Sequence, residues 1–383
     1  MGNDDIRPFT ISVPDEVLTD LRDRLHRTRW PEGGYAKKWD QGIPPAYLRE
    51  VCTYWADEYD WRASEARMNA LPQYLTTIDG VDIHFFHVVS PHADATPMIL
   101  THGWPGSYVE YLKVIGPLTN PTAYGGSADD AFHVVVPSIP GFAFSGKPTR
   151  SGWDIPHVAK AWTELMDRLG YARYVSSGTD WGATVAAEMG LLEHPDRLIG
   201  LYLNFAFADP EKYDFGPPTN EENGFHAVAD DYFAWENGYS VQQSTRPLTL
   251  AHGLSDSPAF QAAWVIEKFG MWADCDREPE SVFTRDELID NVMTYWVNDA
   301  GLSSARIYFE SYKWVHATIP EVASPTAYTA AKDLFRYSER ELRTRFSDLR
   351  YYGTVDVGGH FLAFEQPASF VDEARAALRS FST

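Results

Sequence analysis

The stretch that most constrains this chain is a strand-to-helix junction. A strand-type run, Arg173-Tyr174-Val175-Ser176-Ser177, enters Gly178-Thr179-Asp180-Trp181-Gly182, and small residues suited to a helix follow from Ala183 to Met189. A tight turn with two glycines between a strand and a helix holds its central side chain exposed at the end of a parallel strand. Taken alone, Gly-x-Asp-x-Gly is also an ordinary turn with an Asx-type cap. The identity of the central residue is what narrows the chemistry. A serine there would need a base, whereas an aspartate with an ordinary pKa near ~3.9 is already ionised at neutral pH. Carboxylate attack on an ester or amide gives an anhydride. Attack on a strained or activated sp³ carbon gives a stable alkyl ester. Asp180 therefore points to opening an epoxide or expelling a halide, and away from esterase or peptidase chemistry.

The rest of the chain supplies a setting for that turn. From residue 76 the pattern alternates between strand and helix. Ile78 to Val89 reads as a hairpin around Asp79-Gly80. Met98 to Thr101, Phe132 to Val136, Arg173 to Ser177 and Leu198 to Phe205 read as strands. Tyr108 to Leu118, Ile155 to Leu169 and Ala183 to His194 read as helices. Such alternation implies a parallel sheet covered on both faces. At Asp209-Pro210 and Gly216-Pro217-Pro218 it stops, and residues 206–320 read as mostly helical, a cap over the strand ends where open α/β sheets bind ligands. From 321 the pattern resumes, with Leu349 to Val355 as a strand and Pro367 to Phe381 as a closing helix. Residues 1–75 form a helical lead-in. Pro14, Asp15 and Glu16 suit a first turn, and Val17, Leu18, Leu21 and Leu25 recur at helical spacing. An aromatic-rich stretch from Trp30 to Trp61 must pack on something, and it reads as a strap over the main domain.

Charge and cysteine usage exclude other classes. The formal net charge of −22 argues against nucleic acid and an anionic membrane surface as partners. Two cysteines, Cys52 and Cys275, form no framework and suit a reducing, cytoplasmic setting. The segment Met1 to Ile6 has neither a basic nor an apolar leader pattern, Ile6 stands where a myristoylation motif needs Ser or Thr, and no apolar run approaches ~18 residues. His84 and His87 have odd spacing, which puts them on opposite faces of a strand and dismisses a shared metal. No metal or organic cofactor is expected, and a homodimer is allowed.

Two further turns complete a site. His102-Gly103-Trp104-Pro105-Gly106-Ser107 follows a strand and offers backbone N–H groups. Those of Trp104 and Trp181 are the candidates for an oxyanion hole, with His102 structural. Gly358-Gly359-His360-Phe361 lies between the last strand and the last helix. His360 would deprotonate the water that attacks the ester on Asp180. Its orienting acid is expected at Asp333, in Lys332-Asp333-Leu334, with Asp209 as the rival; Glu321, Glu339 and Glu341 read as surface charges.

On these motifs the chain resembles the microsomal-type epoxide hydrolases of the α/β-hydrolase superfamily, along nearly its whole length. Pro8-Phe9 through Trp30-Pro31 and Tyr59-Asp60-Trp61-Arg62 resemble that branch's N-terminal segment. The 102–107, 178–182, 332–334 and 358–361 motifs are similar to its oxyanion, nucleophile, acid and histidine turns. The resemblance implies an α/β-hydrolase fold with a mostly parallel sheet, a helical cap insertion and a helical N-terminal extension. It divides the chain into 1–75, a core of 76–205 with 321–383, and a cap of 206–320. It also implies two cap tyrosines that take the epoxide oxygen, matched by Tyr308 in Ser304-Ala305-Arg306-Ile307-Tyr308 and by Tyr239 in Asn237-Gly238-Tyr239. Phenol O–H groups can stabilise and protonate a leaving alkoxide. Two departures stand out. No membrane-anchoring segment precedes the N-terminal part, and Ala330-Ala331-Lys332 replaces an aromatic-Pro-Lys segment. The expected reaction is epoxide plus water to vicinal diol, in detoxification or secondary metabolism. The rivals are a haloalkane dehalogenase, which shares the Asp turn, and an inactive binding module.

Overall fold

The computed structural model describes residues 6–32, 38–192, 195–208, 216–315 and 319–381. Its frame is a nine-stranded sheet in the order β1-β2-β3-β5-β4-β6-β7-β8-β9. The strands are β1 (Arg7–Pro8), β2 (Gln73–Ile78), β3 (Val81–Val88), β4 (Thr96–Thr101), β5 (Phe132–Pro137), β6 (Tyr174–Gly178), β7 (Leu198–Leu203), β8 (Thr326–Ala330) and β9 (Leu349–Thr354). From β5 to β9 all neighbours run parallel. The edge formed by β1, β2 and β3 is antiparallel and joins β5 antiparallel. The core strands β4, β5 and β6 are apolar or small apart from His133, because helices cover both faces. The β2–β3 turn falls on Asp79-Gly80, both at positive φ (47° and 79°), the backbone a tight hairpin needs.

Helices α1 (Asp15–His26), α2 (Pro45–Asp57) and α3 (Trp61–Asn69) precede β2. Asp60 caps α3 by accepting from the Arg62 and Ala63 N–H groups. Helix α4 (Leu112–Thr119) follows β4, α5 (Ile155–Arg168) follows β5 and α6 (Trp181–Met189) follows β6. Between β7 and β8 lie α7 (Asn220–Asp231), α8 (Gly238–Thr245), α9 (Pro247–Asp256), α10 (Pro258–Trp272), α11 (Arg285–Trp296) and α12 (Gly301–Val315). The chain ends with α13 (Glu339–Leu342), α14 (Leu362–Glu365) and α15 (Pro367–Phe381).

Several expectations need correction. The lead-in is not wholly helical, because β1 and the start of β2 extend the sheet. Strand β8, Thr-Ala-Tyr-Thr-Ala, is buried at every position; its small and hydroxylated residues carry no apolar pattern to read. Helix α6 stops at Met189, with Gly190 as its C-cap. Glu341 is not a surface charge. It is buried, closes a capping box with Ser338 and bonds the His226 imidazole at 2.7 Å. Asp209 lies outside the described residues.

The aromatic-rich stretch packs mainly on the inserted helices. Tyr54 and Tyr59 donate to Asp286 (2.7 Å) and Asp290 (2.5 Å) of α11, and Arg67 bonds Asp290 at 2.6 Å. The Trp55 indole N–H lies 3.3 Å from the Met293 sulfur. Helix α11 in turn grips the loop after β4. Asn291 Nδ2 donates to the Pro105 carbonyl (2.8 Å), Ser107 donates to Asn291 Oδ1 (2.7 Å) and Tyr295 donates to the Gly106 carbonyl (2.6 Å). No helix among the described residues is long and apolar enough to cross a membrane.

Candidate active site

The turn between β6 and α6 carries Asp180 at φ 51° and ψ −127°, a conformation a non-glycine residue holds only when its surroundings impose it. The imposition is close packing. A Cβ on Gly182 would stand 1.9 Å from the Thr101 carbonyl oxygen, and one on Gly103 would stand 2.3 Å from the Asp180 side chain. With glycine at both places the turn backs onto the end of β4 and the loop that follows it. Asp180 stands at the N-cap of α6 but makes no side-chain cap bond to it, which leaves its carboxylate to the loop after β4.

One carboxylate oxygen, Oδ1, accepts the Trp104 N–H at 2.8 Å, and the nearby Trp181 N–H also favours the charged carboxylate. The other oxygen, Oδ2, faces His360 Nε2 at 3.6 Å. His360 Nδ1 is 2.8 Å from Asp333 Oδ1, which also accepts the Leu334 N–H at 2.6 Å. The structure therefore brings Asp180, His360 and Asp333 into one line. Burial raises the Asp180 carboxyl above its ordinary value, while His360 and the two N–H groups act against it. Burial alone would lower His360, but the Asp333, Asp180 and Glu110 charges outweigh it and lift the imidazole to about 9.

Tyr239 of α8 and Tyr308 of α12 close the opposite side. Both are buried, with ring centroids 5.8 Å apart. The Trp104 indole stacks on Tyr239 at 4.8 Å and meets Tyr308 edge-on at 5.8 Å, and Trp181 meets Tyr308 edge-on at 4.8 Å. Burial pushes both phenols well above 10. The two tyrosines, Asp180 and His360 line one cavity of about 290 Å³, whose walls include Phe205, Phe207, Phe335, Leu334 and Trp272.

Sequence reasoning missed four supporting residues. Glu365 accepts the N–H groups of Gly359, Phe361 and Asp274 at 2.8–2.9 Å and so fixes the histidine turn. Glu110 is buried beside the site, and burial raises its carboxyl to about 8. Lys268 is buried with its ammonium 4.9 Å from the Tyr239 ring centroid, a cation–π distance. Tyr232 lines the cavity with its hydroxyl 3.0 Å from that of Tyr239. The sequence offers little signal for these: a tyrosine among 21, a lysine and two glutamates are unremarked until packing brings them inward. His102 is structural, as expected. Its Nε2 accepts the Ile139 N–H, its Nδ1 bonds the Gly103 carbonyl, and burial lowers it to about 4. His84 bonds Ser138 and Gln73, whereas His87 bonds Tyr171. Among the described residues no group of three or more His, Cys, Asp or Glu could hold a metal.

Comparison with known proteins gives the family and the fold. A family model described as "Epoxide hydrolase N terminus" matches residues 6–111, and one described as "alpha/beta hydrolase fold" matches residues 96–227. A Stigmatella aurantiaca protein that carries the provisional name epoxide hydrolase is 46% identical over 378 residues, covering 98% of this chain and 85% of its own. Epoxide hydrolase 1 of Oryctolagus cuniculus is 32% identical over 400 residues, covering 96% of this chain and 87% of its own. The crystal structure of juvenile hormone epoxide hydrolase from the silkworm Bombyx mori superposes with a TM-score of 0.91 at 28% identity, covering 100% of this chain and 96% of that one. With identity above 30% along almost the whole length and the same architecture, the chain belongs to the epoxide hydrolase family and has the α/β-hydrolase fold.

Proposed function

We propose that this enzyme hydrolyses apolar epoxides, with Asp180 as nucleophile, Tyr239 and Tyr308 as acids, and His360 and Asp333 as the water-activating pair. The observation that carries the reading is the division of labour at Asp180. One carboxylate oxygen accepts the Trp104 N–H, and the other faces His360 in the cavity that two buried phenols also line. This second oxygen attacks an epoxide carbon. As the carbon–oxygen bond breaks, a phenol gives its proton to the leaving alkoxide. The product of this step is an alkyl ester whose carbonyl oxygen stays with the Trp104 and Trp181 N–H groups.

The raised His360 value fits a two-step cycle. In the resting enzyme the imidazolium sits between two carboxylates. Esterification removes the charge of Asp180, so His360 loses a partner that favoured its protonated form. Its proton returns to the tyrosinate, and the neutral imidazole takes a proton from water. The hydroxide attacks the ester carbonyl, whose developing charge meets the two N–H donors. The intermediate collapses by breaking the bond between the Asp180 carboxyl carbon and the substrate oxygen, that oxygen takes the new carboxyl proton, and the diol departs. Asp180 is left as carboxylate, His360 holds the proton taken from water, and the net change is epoxide plus water to diol.

Aromatic and aliphatic walls around one polar corner support an apolar substrate. Residues 206–320 act as a cap, 76–205 with 321–383 as the catalytic core, and 1–75 as a brace on the cap. Two free, buried thiols, Cys52 and Cys275, suit a reducing cytoplasmic setting. Halide displacement would need no phenol acid, so Tyr239 and Tyr308 favour the epoxide over the haloalkane. Assaying an aryl epoxide and a bromoalkane side by side tests this. Diol from the epoxide is expected, and halide release without diol would overturn the reading.

A further inference from the structure

We propose that Tyr232 is a positioning residue for epoxide opening: its hydroxyl donates to the Tyr239 oxygen and stabilises the charge that oxygen acquires. The inference rests on the reading of Tyr239 as an acid. Tyr232 opens a five-residue π-helical turn, Tyr232–Glu236, closed by the Asn237 N–H bonding the Tyr232 carbonyl at 3.0 Å. Such widened turns are rare and recur at functional sites. Here the turn sends Tyr232 inward, 7% exposed, while Phe233 and Trp235 stand 59% and 85% exposed. Edge-on contacts with Phe335 (5.0 Å) and Phe233 (5.4 Å) fix the ring. Its hydroxyl ends 3.0 Å from that of Tyr239.

The need for a partner follows from the surroundings. When Tyr239 gives its proton to the opening epoxide oxygen, the Asp180 carbon–oxygen bond forms, the epoxide carbon–oxygen bond breaks, and negative charge appears on the Tyr239 oxygen. That oxygen is buried in an aromatic cavity, where an unpartnered phenolate is costly. Lys268 faces the ring of Tyr239, whereas the Tyr232 hydroxyl lies 3.0 Å from the oxygen itself, and in this proposal it is the donor. Tyr232 keeps its own proton throughout, and Tyr239 recovers its proton from the His360 imidazolium.

The test measures ester formation and ester hydrolysis separately in single turnovers, by mass spectrometry of quenched enzyme, with an aryl epoxide. The proteins are wild type, Tyr232→Phe, Tyr239→Phe and the double variant. Tyr232→Phe keeps the ring and its contacts. It is expected to slow ester formation about tenfold, the scale of one hydrogen bond to a developing charge. Ester hydrolysis and the thermal midpoint should stay at wild-type values, and the second substitution should cost nothing further in the Tyr239→Phe background. Wild-type ester formation in Tyr232→Phe, with Tyr239→Phe slow, overturns the role of Tyr232 alone. An equal loss in both backgrounds overturns it too, since Tyr232 would then act by shaping the cavity. A Tyr239→Phe variant as fast as wild type overturns both this role and the assignment of Tyr239.

Discussion

The two walls of the cavity are built by different means. On the Asp180 wall, main chain sets the geometry: Gly182 lets the turn touch the end of β4, Gly103 makes room for the Asp180 side chain, and the Trp104 N–H holds one carboxylate oxygen. On the tyrosine wall, side chain meets side chain: Tyr239, Trp272 and Tyr308 come from three separate helices and pack against one another and against Trp104 of the loop after β4. The first arrangement has almost no freedom, because any Cβ would collide. The second is set by contacts of about 5–6 Å between rings, which small helix movements can alter. In the proposed mechanism the attacking carboxylate is thus held more tightly than the tyrosine wall opposite it.

That contrast can be broken at graded points. Asp180→Ala removes the nucleophile and should lower turnover by about 10⁴-fold or more, with no ester detectable by mass spectrometry. His360→Gln leaves the first step open, so ester should accumulate while turnover falls by about 10³-fold; a variant that neither accumulates ester nor slows would remove His360 from the second step. Tyr308→Phe weakens only the adaptable wall. Ester formation should fall by about 10²-fold with its hydrolysis unchanged, read in the same single-turnover assay. Asn291→Ala unlatches the loop behind the rigid wall and should cost about 1–3 kcal/mol of stability in urea unfolding. The last expectation concerns pH. A histidine raised to about 9 in the folded protein adds stability that is full below its unfolded value near ~6.5 and lost as pH rises through about 9. The urea midpoint of the wild type should thus fall across that window by more than the midpoint of His360→Gln.

The same contrast explains what the sequence could tell. The Asp180 and His360 turns are short, local and rich in glycine, so spacing alone marks them. Asp333 was legible as an acid near a resuming sheet, although the strand before it, β8, has a composition that hides it. Tyr239 and Tyr308 came only through resemblance, because nothing local distinguishes them from the other tyrosines. Tyr232, Lys268, Glu110 and Glu365 depend on contacts between distant segments. So does the brace. A run of tryptophans and tyrosines says that it must pack, but not that Tyr54 and Tyr59 will bond the acids of α11.

That bonding carries a lesson for anyone recombining these proteins. The floor of the catalytic chamber is latched to α11 through Asn291 and Tyr295, and α11 is itself tied to the front of the chain through Asp286 and Asp290. The helices inserted between β7 and β8 are not an interchangeable module. A chimaera that imports them from a relative without the matching front segment would inherit a loosened chamber floor, so the smallest exchangeable unit spans both.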